Sequence, residues 1–139
     1  MKKIILIALL LGINLICFSQ EVSWEELSEK ANKLYKEQKY DEAAVIAEEA
    51  LQAAEKLFTP DHPNVAKSLN DLANIYTMQA KYAEAEKLFK QALEMEEQMY
   101  GPENADIART LEDIGILYFR QGKYVDAESR RLAPPRLEW

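Results

Sequence analysis

The stretch KYDEA at residues 39–43 decides the fold, because it returns as KYAEA at residues 81–85 and as KYVDA at residues 123–127. Each copy follows the previous one by 42 residues, as Tyr40, Tyr82 and Tyr124 show. A period of this size with two helices per copy indicates a solenoid of stacked helix pairs. Because 139 residues make one small domain, the three copies must share one core.

The helical pattern begins at Ser23, which is followed three residues later by Glu26, as in a capping box. A first helix is predicted over residues 24–37. A second is predicted from Asp41, where apolar residues recur every three or four positions on one helix face. Two prolines in the loop FTPDHPNVA at residues 58–66 then end this helix pair and begin the next.

Residues 1–19 are predicted to be a secretory signal peptide. Two lysines precede an apolar run over residues 4–18, which is too short to span a bilayer because a span needs ~20 apolar residues. Cleavage after Ser19 would start the mature chain at Gln20, with no membrane insertion afterwards. We therefore expect an exported protein, periplasmic or secreted. An uncleaved membrane anchor is the alternative. A lipoprotein attached through Cys17 is less favoured, because Ile16 precedes it where a small residue would be expected.

The chain is acidic, with 17 Lys and Arg against 24 Asp and Glu and a formal net charge of −7. Loss of the signal peptide would remove two lysines and make the mature chain more acidic still. Such a surface repels phosphate backbones, so no nucleic-acid partner is expected. The same cleavage removes Cys17, the only cysteine, so the exported chain cannot form an internal disulfide. Its stability must come from packing.

The residue types needed for catalysis are scarce. The single histidine, His62, lies in the inter-repeat loop where the next copy has Asn104, which indicates a helix cap or turn. One histidine without a cysteine assembles neither a Cys/His pair nor a zinc site. The carboxylates are predicted to lie on exposed helix faces beside lysines, as Glu86 beside Lys90. We therefore predict no enzyme, catalytic residue, metal or cofactor; a hydrolase built from carboxylates alone is the disfavoured alternative.

Small side chains recur at equivalent positions of the repeats. Without bulk at these positions, the two helices of a hairpin can approach closely, so we interpret them as packing residues. They are Ala31, Ala73 and Gly115 in the first helices, and Ala43, Ala85 and Ala127 in the second helices.

One set of residues carries a family resemblance: Leu69, Leu72, Ala73, Tyr76, Ala85, Phe89 and Ala92. This pattern resembles the tetratricopeptide repeat, and the 42-residue period with a TPDHP or GPEN loop resembles the kinesin light chain type. The resemblance covers roughly residues 24–130. It implies an all-α, right-handed solenoid of antiparallel helix hairpins whose first helices line a concave groove.

The sequence departs from the family pattern at three positions. Gln38 and Ala80 stand where the family often has the helix-ending glycine that is kept here at Gly122, so both are expected in the left-handed region of the backbone. Ala47 replaces the bulky equivalent of Phe89.

The implied groove is the candidate binding site. Asn32 and Asn74, at equivalent places of two copies, would exchange hydrogen bonds with the backbone of an extended peptide. The larger side chains of Tyr35, Met78 and Phe119 would add adaptable apolar area. The predicted groove residues are Asn32, Tyr35, Lys36, Lys67, Asn70, Asp71, Asn74, Met78, Arg109 and Phe119. The alternative is a solvated helix face that binds nothing in particular.

The third copy breaks off early, because Pro134 and Pro135 stop its second helix. We assign the repeat domain to residues 20–133 and a tail rich in proline and arginine to residues 134–139. A natural short cap and a truncated or frameshifted longer array are both compatible with this ending. Apolar residues on the first helix of the third copy would then lack part of their cover, so the chain is expected either to self-associate through this end or to fray there.

These observations together predict an exported module that binds another protein or an extended peptide. The second hypothesis is the sensory or regulatory amino-terminal region of a larger enzyme or signalling protein.

Overall fold

The computed structural model describes residues 22–122, which contain five helices and no strand. The helices are α1 (Trp24–Lys36), α2 (Tyr40–Leu57), α3 (Pro63–Met78), α4 (Tyr82–Tyr100) and α5 (Ala105–Arg120). The predicted signal peptide at residues 1–19, Ala127 and the predicted tail at residues 134–139 lie outside the described residues, so these assignments stay predictions.

The helices pair as the repeat requires. Helices α1 and α2 form the first hairpin, α3 and α4 form the second, and α5 is the first helix of the third copy. Each helix packs against the next one in the chain, and α3 also contacts both α1 and α5. The predicted all-α arrangement of repeated helix hairpins is therefore confirmed for the described residues.

Capping side chains begin the first helix of each copy. The Ser23 hydroxyl accepts a hydrogen bond from the Glu26 amide at 3.2 Å. His62 Nδ1 accepts one from the Asn64 amide at 3.1 Å, and in the next copy the Asn104 side chain accepts one from the Asp106 amide at 2.7 Å. The prediction that His62 is a helix cap is thus confirmed. Because its Nδ1 atom accepts a backbone hydrogen bond, His62 has a structural role.

The turn inside each hairpin needs a left-handed residue. Gln38 and Ala80 have φ angles of 61° and 60°, and Gly122 has a φ angle of 81° at the equivalent place. Each turn closes through a backbone hydrogen bond to the end of the preceding helix, from Lys39 to Leu34 and from Lys81 to Tyr76, both 2.9 Å. The left-handed conformation expected at Gln38 and Ala80 is therefore confirmed. It is less stable for these residues than it would be for glycine.

Small residues fill the contacts between helices. The four predicted packing alanines within the described residues are all buried: Ala31, Ala43, Ala73 and Ala85. Gly115 differs, because a Cβ added there would meet no heavy atom within 4 Å. Nothing in the described residues therefore requires glycine at position 115.

The second and third copies meet at a core cluster around Phe89. This side chain is 0% exposed and belongs to a cluster with Ala73, Ala85, Ile114 and Leu117. Ala47, its equivalent in the first copy, is also buried, in a cluster with larger neighbours such as Leu72 and Ile75. The junction thus fixes the position of α5 against the second hairpin, and with it one side of the predicted groove.

Candidate functional site

The first helices of the copies lie side by side, as the predicted inner face of the solenoid requires. The backbone of α3 comes close to those of α1 and α5, whereas the backbones of α2 and α4 do not approach each other within the described residues, although side chains of both, such as Ala50 and Ala92, belong to one core cluster. A stack that is tight in one layer and open in the other curves towards the tight layer. The predicted concave face therefore consists of α1, α3 and α5, and all the predicted groove residues lie on these three helices.

Exposure divides the predicted groove residues into three groups. Half-buried positions offer part of their side chain to a ligand, and they are Asn32, Tyr35, Lys67, Asp71, Asn74 and Met78. Exposed positions are Lys36, Arg109 and Phe119. Asn70 alone is buried, with 4% of its surface exposed.

Lys67 lies where the first and second hairpins meet. Its Nζ donates a hydrogen bond to the Ser28 hydroxyl at 2.9 Å, pairs with Asp71 Oδ2 at 2.7 Å and lies 5.7 Å from the centroid of the Trp24 ring. Trp24 is itself fixed, because its indole N–H donates to the Ser68 hydroxyl at 2.8 Å. Lys67 therefore joins α1 to α3, and its charge is largely compensated before any ligand arrives.

Asn74 and Asp113 join the second and third copies across the groove. Asn74 Nδ2 donates to Asp113 Oδ2 at 3.0 Å. Burial raises the pKa of the Asp113 carboxyl, and Glu112 and Asp71 raise it further, while the hydrogen bond from Asn74 and the charge of Arg109 lower it. Asp113 is therefore a partly desolvated carboxylate whose hydrogen bond comes from a neutral amide.

Asn32 and Tyr35 form the α1 side of the groove. Within the described residues Asn32 makes no hydrogen bond, although its side chain is half-buried. Tyr35 packs edge to face against Tyr40, with ring centroids 5.7 Å apart. Burial raises the pKa of the Tyr35 hydroxyl; Tyr40 and Asp113 add to the rise and Arg120 opposes it. Asn32 is thus a half-buried amide without a hydrogen-bond partner among residues 22–122.

Asn70 corrects the predicted groove. Its amide donates to Glu96 Oε1 at 2.9 Å and to the Thr110 hydroxyl at 2.8 Å, and Thr110 in turn donates to Glu96 Oε2 at 2.7 Å. All three side chains are buried between the second hairpin and α5. The prediction that Asn70 faces a ligand is therefore wrong, because the amide satisfies a buried carboxylate instead.

Glu96 in this network is an exception to the prediction that the carboxylates lie on exposed helix faces, a prediction that agrees with most carboxylates of the described residues. The Glu86–Lys90 pair is present at 2.8 Å, but Glu96 is only 2% exposed. Burial raises the pKa of Glu96, and hydrogen bonds from Thr110 and Asn70 lower it. A signal existed in the sequence, since Glu96 continues the stripe of Ala85, Phe89 and Ala92 on α4.

Arg109 lies at the start of α5, beside a small cleft. Its guanidinium pairs with Asp106 at 2.8 Å on the same helix. The cleft has a volume of about 250 Å³ and is bounded by the starts of α3 and α5 and the end of α4, with Lys67, Glu96 and Tyr100 among its lining residues. Arg109 is thus exposed but already paired.

The apolar residues of α5 are divided between core and surface. Ile114, Leu117 and Tyr118 are buried, whereas Leu111, Ile116 and Phe119 are exposed. The expected self-association through the third copy stays a prediction.

Metal-binding clusters and membrane-spanning helices are both absent from residues 22–122. That part of the chain holds no group of three or more His, Cys, Asp and Glu side chains arranged to bind a metal ion. The helices it contains do not combine the length and apolar composition needed to cross a membrane.

Comparison with known families identifies the repeat. The family described as "Tetratricopeptide repeat" matches residues 27–98 and 81–130, which together cover most of the chain. The comparison with curated proteins gives no match.

Comparison with solved structures agrees with the family match. The chain is similar to the crystal structure of BtubC (BKLC) from P. vanneervenii, with a TM-score of 0.70 and 27% sequence identity. The similarity covers 79% of this chain and 44% of the BtubC chain, so the present chain matches less than half the length of that protein. Both comparisons confirm the predicted helical repeat solenoid with a kinesin light chain-like repeat.

Proposed function

The chain belongs to the tetratricopeptide repeat family, whose repeats form protein–protein interaction modules. We propose that it is an exported module that binds an extended segment of its partner along the concave groove. Repeats of this family are typically non-catalytic scaffolds. We propose that this chain likewise acts by binding alone.

The observation that carries the proposal is Asn32. A half-buried amide without a hydrogen bond among the described residues is unfavourable unless solvent or a ligand completes it. The backbone of an extended peptide has donors and acceptors that match such an amide. Met78, half-buried on the same face, supports this assignment because a thioether side chain adapts to different partners.

Replacing Asn32 tests the proposal. Random dodecapeptides displayed on phage are selected against the purified chain, and the tightest binder is titrated by fluorescence anisotropy. Asn32→Ala is expected to raise Kd by about threefold to tenfold, since it removes one or two neutral hydrogen bonds of about 0.5–1.5 kcal/mol each. Asn74→Ala is less clean, because Asn74 also holds Asp113.

Gln91→Ala is the matched control, because Gln91 is an exposed amide side chain on α4, outside the groove. Its Kd is expected to equal that of the parent chain. Equal affinity of the Asn32→Ala chain would remove this amide from the binding site, and a selection that yields no binder would contradict groove binding itself.

Export is the second part of the proposal, and residues 1–19 carry it by their order of positive charge, short apolar run and small residue. The mature protein is expected in the periplasm or the medium, with its amino terminus at or near Gln20. Amino-terminal sequencing of the native protein checks this expectation. A soluble cytoplasmic pool that retains Met1 would contradict it.

A further inference from the structure

An acidic side chain occupies the same position in the first helix of every copy. Glu29, Asp71 and Asp113 follow each other at the repeat spacing, on α1, α3 and α5. They lie one turn before the positions of Asn32 and Asn74 on the same face. A peptide that runs along the asparagines therefore passes this row of carboxylates.

Asp71 and Asp113 differ in whether a cation neutralises the carboxylate. Asp71 pairs with Lys67 at 2.7 Å. Asp113 makes one hydrogen bond within the described residues, the 3.0 Å bond from the neutral amide of Asn74. Arg109, one turn earlier on α5, pairs with Asp106 instead. Asp113 is thus a half-buried charge without an ion pair in the part of the chain that the structure describes.

We propose that the bound segment carries a lysine or arginine whose cationic group pairs with the Asp113 carboxylate. This inference rests on the proposed groove function and names the chemistry of the partner. A partly desolvated carboxylate gains most from a charged donor, because ion-assisted hydrogen bonds are roughly twice as strong as neutral ones. The net charge of −7 favours the approach of a cationic segment.

The opposite preference, for an acidic segment, has weaker support in the groove. Four cations at groove positions could select it: Lys67 and Arg109, and also Lys36 and Arg120, which share one repeat position. Lys67 Nζ is bound by Ser28 and Asp71, and the Arg109 guanidinium is bound by Asp106. Lys36 and Arg120 are exposed, and an ion pair at an exposed site contributes little. At Lys67 or Arg109 an acidic partner would have to displace an existing ion pair, whereas a basic partner supplies the ion pair that Asp113 lacks.

The test uses the dodecapeptide selection against the purified chain and Asp113→Asn. Asparagine at position 113 keeps an oxygen that accepts the hydrogen bond from the Asn74 amide, but it removes the negative charge. Selected peptides are expected to be enriched in Lys and Arg, and Asp113→Asn is expected to raise the Kd of the tightest one about tenfold. Glu94→Gln, an exposed carboxylate on α4, is the matched charge control and should change Kd by less than about twofold.

A double-mutant cycle assigns the contact. Replacing the peptide's basic residue with glutamine should cost about tenfold against the parent chain and nothing further against Asp113→Asn. Selected peptides that bind in an Asn32-dependent manner but lack basic residues, or tight binding unchanged by Asp113→Asn, would overturn this inference and leave the groove function standing. A selection without any binder would overturn both. Equal melting temperatures of all variants establish that each one is folded.

Discussion

Replacing Phe89 with alanine is expected to lower the free energy of unfolding by about 3–5 kcal/mol. The ring is completely buried in the cluster that joins the second hairpin to α5, beside Ala73, Ala85 and Leu117. Removing the ring leaves a cavity between two alanines and the larger side chains of Ile114 and Leu117, and the alanines are too short to fill it. Urea denaturation followed by circular dichroism measures the loss.

Leu57→Ala is the control for this cavity, since Leu57 is 62% exposed at the end of α2. It should change stability by less than about 1 kcal/mol. A Phe89→Ala chain that loses no more than this control would mean that α5 does not close over Phe89, and the junction between the second and third copies would need revision.

Removing the buried carboxylate of Glu96 is expected to have the second largest effect. In Glu96→Ala the donors of Asn70 and Thr110 lose their acceptor inside the junction, and a buried polar group without a partner costs about 1–3 kcal/mol. We therefore expect a loss of about 2–4 kcal/mol in total at neutral pH. Glu96→Gln keeps an acceptor and nearly the same volume, so it should be at least as stable as the parent chain.

The difference in stability between the parent chain and Glu96→Gln depends on pH with a definite sign. Because burial raises the pKa of Glu96 in the folded state, the folded chain binds this proton more tightly than the unfolded chain does. The Glu96 contribution to stability is therefore largest below the unfolded pKa, falls as pH rises through the interval up to the folded pKa, and is constant above it. The stability advantage of Glu96→Gln should accordingly shrink as pH is lowered towards 4.5, the ordinary value for a glutamate.

Urea titrations of both chains across this pH interval check the sign. A Glu96→Gln chain that is less stable than the parent at neutral pH, with the deficit disappearing in acid, would show that the hydrogen bonds outweigh the desolvation. Glu96 would then stabilise the junction as a charge.

The local features of the fold were predictable because each depends on a short stretch of sequence. A histidine in one copy and an asparagine in the next share the ability to cap a helix, and both do so. The turn positions of Gln38 and Ala80 follow from the repeat register, and their positive φ angles agree. Periodicity of apolar residues then locates five helices to within a few residues.

The polar contacts of the groove were not predictable in the same way, because they depend on side-chain directions across helices. Asn70 and Asn74 lie one turn apart on α3, yet the first turns into the buried junction and the second bonds Asp113 on the groove side. Likewise the charge of Lys67 suggests a ligand contact, whereas its hydrogen bond to Ser28 joins α3 to α1 and its ion pair with Asp71 lies within α3. Repeat register places a residue on a helix but does not select its partner.

Amide chemical-shift mapping tests the central claim, that the concave face of α1, α3 and α5 binds an extended segment. The isotope-labelled chain is titrated with the tightest selected peptide, and shift changes are followed for every assigned backbone amide. Binding in the groove predicts that the largest changes cluster around Asn32, Asn74 and Asp113, with little change along the outer faces of α2 and α4. Changes concentrated on α2 and α4, or confined to the loops between hairpins, would contradict groove binding.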